Sequence, residues 1–215
     1  MSSPSPYHHG DLRSALLQEA DVMLKESGIA GLSLRQLAER VGVSRMAPYH
    51  HFRDKHELLC ALATEGFRQL DSLLTGAEVE IKPNTESDHS DAHNRLLLEK
   101  VLSRVVRDYL HFATTNPDRY ELMFGRPIWQ AAKPSQELKD TAFACFRRYA
   151  DSITSLLAHS PLQGRKPLRL AQASWATLHG MARLIIDGIY IHQADMEEVS
   201  DEAVRMMLAV LSPAN

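Results

Sequence analysis

The stretch "VGVSRMAPYHHFRDKHELL", Val41 to Leu59, decides how the chain is read. Gly42 suits the end of a helix, because glycine takes the left-handed conformation of that position without steric cost. Ser44 is an N-cap residue, and the segment it opens reaches only to about His50 or His51. Asp54 caps a fresh, longer helix carrying Leu58, Leu59, Leu62 and Phe67. Pro48 interrupts the short segment, and two readings of it stand. With Ser44 as N-cap, Pro48 is the fourth helical residue and its missing N–H removes only the first bond, to the Ser44 carbonyl. Alternatively Pro48 starts the helix and Val43 to Ala47 form an irregular turn.

Upstream, Ser33 stands as N-cap before Leu34, Leu37 and Ala38, opening a helix that runs to about Arg40. Before it, Leu12, Ala15, Leu16, Ala20, Met23 and Leu24 recur at helical spacing, with Gly28 and Gly31 as a stop. A short helix, a turn through Gly42 and a second short helix make a helix-turn-helix, whose second helix lies in the DNA major groove. Val41 and Val43 hold the two helices together, while Arg45, Met46, Tyr49 and His50 project outward. Arg13, Arg35, Arg45, Arg53 and Lys55 are placed to neutralise phosphate. Residues 1 to 60 hold seven Lys/Arg and seven Asp/Glu, so placement rather than composition carries this reading.

Downstream, "TGAEVEIKPNTESDHSD", Thr75 to Asp91, is polar, net acidic and broken by Gly76 and Pro83, which reads as a flexible loop. Leu96, Val101, Val105 and Tyr109 then share one helix, and Pro117 to Phe124 suggests a short one. Pro127 and Pro134 punctuate a connection. Long helices follow over Gln136–Ala158 and Pro167–Ile191, and a last one over Asp195–Leu211. With no alternating pattern and no repeat, the class is all-α, organised as residues 8–74 for DNA binding, 75–91 as loop and 92–215 for ligand binding and dimerisation.

Composition narrows the function classes. Apolar residues make up 44% and charged residues 24%, which fits a soluble globular chain, and a net charge of -3 leaves nucleic acid open as a partner because a local basic face suffices. Two cysteines are too few for a disulfide scaffold, and no apolar run reaches the length of a membrane span. The start "MSSPSPYHHGDLR" lacks the apolar core of a signal peptide, so a cytoplasmic protein is expected. The chain shows no nucleophile elbow, zinc-protease helix motif or phosphate-binding glycine loop, so no catalytic residues are assigned and an enzyme is the weaker rival. A helical ligand-binding or interaction module without DNA binding is the other alternative. His8–His9 and His50–His51 make poor metal pairs, since adjacent helical residues diverge, and neither metal nor cofactor is expected.

"LSLRQLAERVGVSRMAPYHHFRDKHELLCAL", Leu32 to Leu62, resembles the DNA-binding domain of the TetR family of transcriptional regulators, with Tyr49, His51, Phe52, Lys55 and Leu58 on its pattern. The entry "YHHGDLR" matches too, while "WATLHG" (Trp175, His179, Gly180) and "NPDRYELMFG" look like one subgroup's C-terminal domain. The resemblance implies a homodimer on a double-stranded, palindromic DNA operator, with one recognition helix per half-site and a small-molecule effector in the C-terminal domain. It places Tyr49 and Lys55 on phosphate. Ser33 and Ser44, at helix N-termini, suit the same task, as does Arg35. Arg45 is assigned to a guanine edge, with phosphate as its alternative; Met46, Ala47 and His50 are the other base readers. Met46 departs from the family's small residue there and offers a contact for a thymine methyl.

Aromatic and apolar side chains with a few polar groups build ligand pockets in helical domains. Tyr109, Phe112, Tyr120, Phe124, Trp129 and Phe146 are the candidates, divided between core and cavity in proportions the pattern leaves open. Arg104, Arg107 or His179 would anchor a polar group. Trp175 and His179, four apart, share a helical face as packed core or as pocket lining.

Overall fold

The computed structural model describes residues 9–76, 91–130, 133–158, 166–189 and 193–211. Every regular element among them is helical: α1 His9–Gly31, α2 Leu34–Val41, the 3₁₀ helix η1 Ala47–His50, α3 Lys55–Gly76, α4 Asp91–Thr115, α5 Pro117–Phe124, α6 Arg126–Trp129, α7 Gln136–Ala158, α8 Pro167–Ile186 and α9 Gln193–Leu211. The expected loop over residues 77–90 lies outside the described residues. No described helix is long and apolar enough to cross a membrane.

The chain divides into two compact units, Met1–Phe67 with Asp118–Ala142, and Arg68–Pro117 with Phe143–Asn215. In the first, Leu16, Ala20, Met23 and Leu24 of α1 are buried with Leu34, Leu37 and Ala38 of α2, Pro48 of η1, and Leu58 and Leu62 of α3. Gly28 breaks the helical dihedrals inside α1 with φ 65, as its glycine signal implied. Gly42 adopts φ 75, where a side chain would be strained, and its N–H donates to the Glu39 carbonyl. Arg40 closes α2 against α1, with Glu19 and Glu26 each 2.5 Å away.

Residues 118–142 fall in the sequence span expected for the C-terminal domain, yet cluster with the N-terminal helices. Three contacts hold them there. The Arg119 guanidinium, nearly buried, pairs with Asp21 of α1. Phe124 meets Phe67 edge-on at 5.1 Å. At Gly66 a Cβ would lie 2.4 Å from Met123 Sδ, so α5 approaches α3 where only glycine leaves room. Around Pro127 the expected connection forms the single turn α6, whose Trp129 indole N–H donates to the Met123 carbonyl at 2.6 Å.

In the second unit α4 packs on α8 and α9. Its buried stripe is Leu102, Val106, Tyr109 and Ala113, at i, i+4, i+7 and i+11. The four residues expected to share this helix do so: Val101 and Tyr109 are buried, Val105 is half-buried and Leu96 is exposed. The expected helices over α7 and α8 form; α8 ends at Ile186, where Asp187 and Gly188 (φ 72) close it with bonds to Arg183 and Ile185 carbonyls.

Candidate nucleic-acid interface

η1 corrects the expected recognition helix. The Ser44 carbonyl, four residues before Pro48, has no proline N–H to accept; it takes the Ala47 N–H instead, at 2.9 Å. The tighter i to i+3 pattern continues from Tyr49 to Met46 and from His51 to Pro48, and only Phe52, bonded to the Pro48 carbonyl at 2.9 Å, restores the α spacing. Pro48 is therefore the second residue of η1, after a turn through Arg45 and Met46, which is closer to the second reading of the proline, except that Ala47 rather than Pro48 opens the helix. Ser44 lies before that turn rather than capping a helix. Ser33 does stand at the N-cap of α2, but its hydroxyl makes no capping bond.

The turn and η1 still present the expected faces. Pro48 and Phe52 are buried, while Arg45, Met46, Tyr49 and His50 are exposed and Ala47 is half-buried. Met46, 63% exposed, is a large apolar side chain held in solvent next to Arg45 in the turn. His51 is half-buried, tilted against Phe52. Val41 and Val43 are half-buried, and the Val43 N–H ties the turn back to the Ala38 carbonyl at 3.0 Å.

The cations have distinct surroundings. Arg35 and Arg45 both approach Glu39, at 3.9 and 3.8 Å. The Arg13 guanidinium lies over the Phe52 ring, 5.5 Å from its centroid. Arg53 is exposed beside Asp54. Lys55 Nζ donates to the Ala30 carbonyl at 3.3 Å, so it caps the end of α1 as well as starting α3. Asp54 is the N-cap expected: its carboxylate accepts the Glu57 N–H at 2.9 Å, and Glu57 accepts the Arg53 N–H at 2.8 Å. That backbone bond, helped by Arg53, holds the Asp54 carboxyl below its ordinary range. Among the described residues no group of three or more metal-binding side chains forms.

The ligand candidates part company. Tyr120, fully buried, Phe124 and Trp129 belong to the first unit and pack around Met123 and Phe67, because the Arg119 and Gly66 contacts draw α5 there. In the second unit Trp175 meets Tyr109, Phe146 and Tyr149 edge-on at 5.0 to 5.6 Å, and the Tyr149 hydroxyl donates to Ser174 Oγ at 2.7 Å. Three rings around one indole make a packed cluster, with Phe112 buried nearby in sequence on α4. Arg104 pairs with Asp108 along α4, at 3.4 Å. His179 is half-buried, and burial, then Arg183, holds its imidazole below the ordinary range.

Sequence reasoning passed over Glu39, Arg119, Gly66 and His56, whose Nε2 lies 2.8 Å from the Lys133 carbonyl. Only Glu39 carried a local signal, its i+4 spacing from Arg35.

The family model described as bacterial regulatory proteins, tetR family, matches residues 16–62, and that described as tetracyclin repressor-like, C-terminal domain, matches residues 102–208. HTH-type transcriptional regulator Rv1816 of Mycobacterium tuberculosis is 27% identical over 135 residues, 63% of this chain and 53% of that protein. HTH-type transcriptional repressor AcnR of Corynebacterium diphtheriae is 32% identical over 96 residues, 44% of this chain and 50% of that one. These matches span about half the length of the curated relatives. A solved structure of a protein of unknown function from Rhodococcus sp. RHA1 covers 98% of this chain and 100% of its own at 30% identity, with a TM-score of 0.80. With a helix-turn-helix in the first unit and a helical second unit, each matched by its own family model, the chain belongs to the TetR family of transcriptional regulators.

Proposed function

We propose that the chain is a DNA-binding repressor, acting in the cytoplasm as a homodimer that sets one η1 per half-site of a palindromic operator and is released by a small organic ligand. The observation that carries this is the sorting of side chains about η1, with Pro48 and Phe52 buried and Arg45, Met46, Tyr49 and His50 exposed. Arg45 reads a guanine edge and Met46 a thymine methyl, while Ser33, Arg35, Ser44, Tyr49 and Lys55 hold phosphate. The ligand site draws on Arg104, Tyr109, Phe112, Phe146, Trp175 and His179, all in the second unit, and the "WATLHG" subgroup resemblance goes with it. A ligand shifts DNA affinity only through unequal affinity for the two states. Compounds that raise the melting temperature should therefore weaken operator binding.

The test is an operator selected from random duplexes, with single-base variants. Arg45→Ala should cost about 1–3 kcal/mol on the best operator and much less where its base pair is changed. Lys55→Ala should weaken all sequences alike and reduce the salt slope by about one unit. A uniform loss for Arg45→Ala would move the base-reading role to Met46, Ala47 or His50.

A further inference from the structure

We propose that Glu39 is a positioning residue for base reading: its carboxylate holds the Arg45 guanidinium on the outward face and disfavours its capture by phosphate. The inference rests on the DNA-binding reading above. Glu39 lies in the last turn of α2, and one of its oxygens, Oε1, is 3.8 Å from Arg45 Nη2 and 3.9 Å from Arg35 Nε. Their proximity is made by the turn. Gly42 in the left-handed region, with the Gly42 N–H on the Glu39 carbonyl and the Val43 N–H on the Ala38 carbonyl, folds the chain so that residue 45 returns beside residue 39. Three other acids of this unit have structural partners: Glu19 and Glu26 hold Arg40, and Asp54 caps α3. The Glu39 carboxylate stands between two exposed arginines, both assigned to DNA.

All three side chains are more than half exposed, at 57% for Glu39, 65% for Arg35 and 67% for Arg45. A pair so exposed adds little to folding, so its effect falls on binding. The trio presents a net charge of one rather than two to any duplex. A phosphate that takes Arg45 draws it from Glu39 and brings a second anion up to the carboxylate. A guanine edge, which is uncharged, accepts two bonds from the guanidinium plane without that repulsion. Glu39 thus weakens random-sequence binding more than operator binding, and specificity is the ratio of the two.

Wild type, Glu39→Gln, Arg45→Ala and the double variant are titrated against a random-sequence duplex and against a duplex that wild type selects from a random library, at two salt concentrations. Glu39→Gln should tighten random-sequence binding about three- to five-fold, steepen its salt slope by about one unit, and lower the selected-to-random ratio. In the Arg45→Ala background the same change should leave that ratio as it was. A wild-type ratio and slope in Glu39→Gln would overturn the inference. So would an equal loss of ratio with and without Arg45, since Glu39 would then meet a base itself. A wild type that enriches no sequence overturns the DNA-binding reading, and this inference with it.

Discussion

His179 shows how one side chain ties the second unit to pH. Burial, reinforced by Arg183, favours its neutral form, so between the folded value and the ordinary histidine value near ~6.5 the unfolded chain binds more protons. The stabilisation is present in full above that ordinary value and is lost as pH falls through the lower, folded one. The melting temperature should therefore drop as pH falls below about 6.5, and His179→Gln should flatten part of the drop. Parallel curves for variant and wild type would show that His179 does not report this burial. Cys145 is set by burial too, its thiol pushed up to about 12 beside Asp71, and Cys60 is likewise buried with a raised thiol. Both behave as small core residues.

At the scale of elements, α5 and η1 are shaped by single residues. Gly66 admits Met123 to α3: its absent Cβ would lie 2.4 Å from the sulfur and 3.2 Å from Arg119 Cδ, and Met123 is fully buried with little freedom to retreat. Gly66→Ala gains up to about 1 kcal/mol in helix propensity and loses about 1–3 kcal/mol to overpacking, so a net loss of roughly 0.5–2 kcal/mol is expected in denaturant unfolding. Met123→Ala in the same chain should remove the overpacking part. A Gly66→Ala variant as stable as wild type would sink the notch. The bounds of α5 and α7 were legible, Pro117 and Gln136 included, because capping and periodicity are local. The late start of η1 was legible only as one of two readings of Pro48, and its 3₁₀ form was not legible at all, since that depends on which N–H reaches the Ser44 carbonyl.

For the whole molecule the proposal is a dimer. Phe143 of α7 is 59% exposed and Leu168 of α8 is 52% exposed, while Ala173, Ala176 and Thr177 face solvent on α8 and a Cβ at Gly180 would meet nothing within 4 Å. These residues lie on the two long helices that the family resemblance pairs with a second copy. Light scattering at micromolar concentration should give twice the chain mass, and Phe143→Asp with Ala176→Glu should halve it. A wild-type monomer would rule the dimer out.

What the sequence by itself determined was everything that depends on neighbours a few residues away: the all-helical class, the stop at Gly42, the Asp54 cap, and the outward set Arg45, Met46, Tyr49 and His50. What only the tertiary structure decided depends on residues distant in the chain. It bound Arg119 to Asp21, grouped Tyr120, Phe124 and Trp129 with the first unit, and gathered Tyr109, Phe146 and Tyr149 around Trp175. Helix formation follows the local backbone and its caps, whereas pairing helices is a contest among apolar faces of similar composition. That contest is settled by shape and by a few buried charges, which no periodicity records.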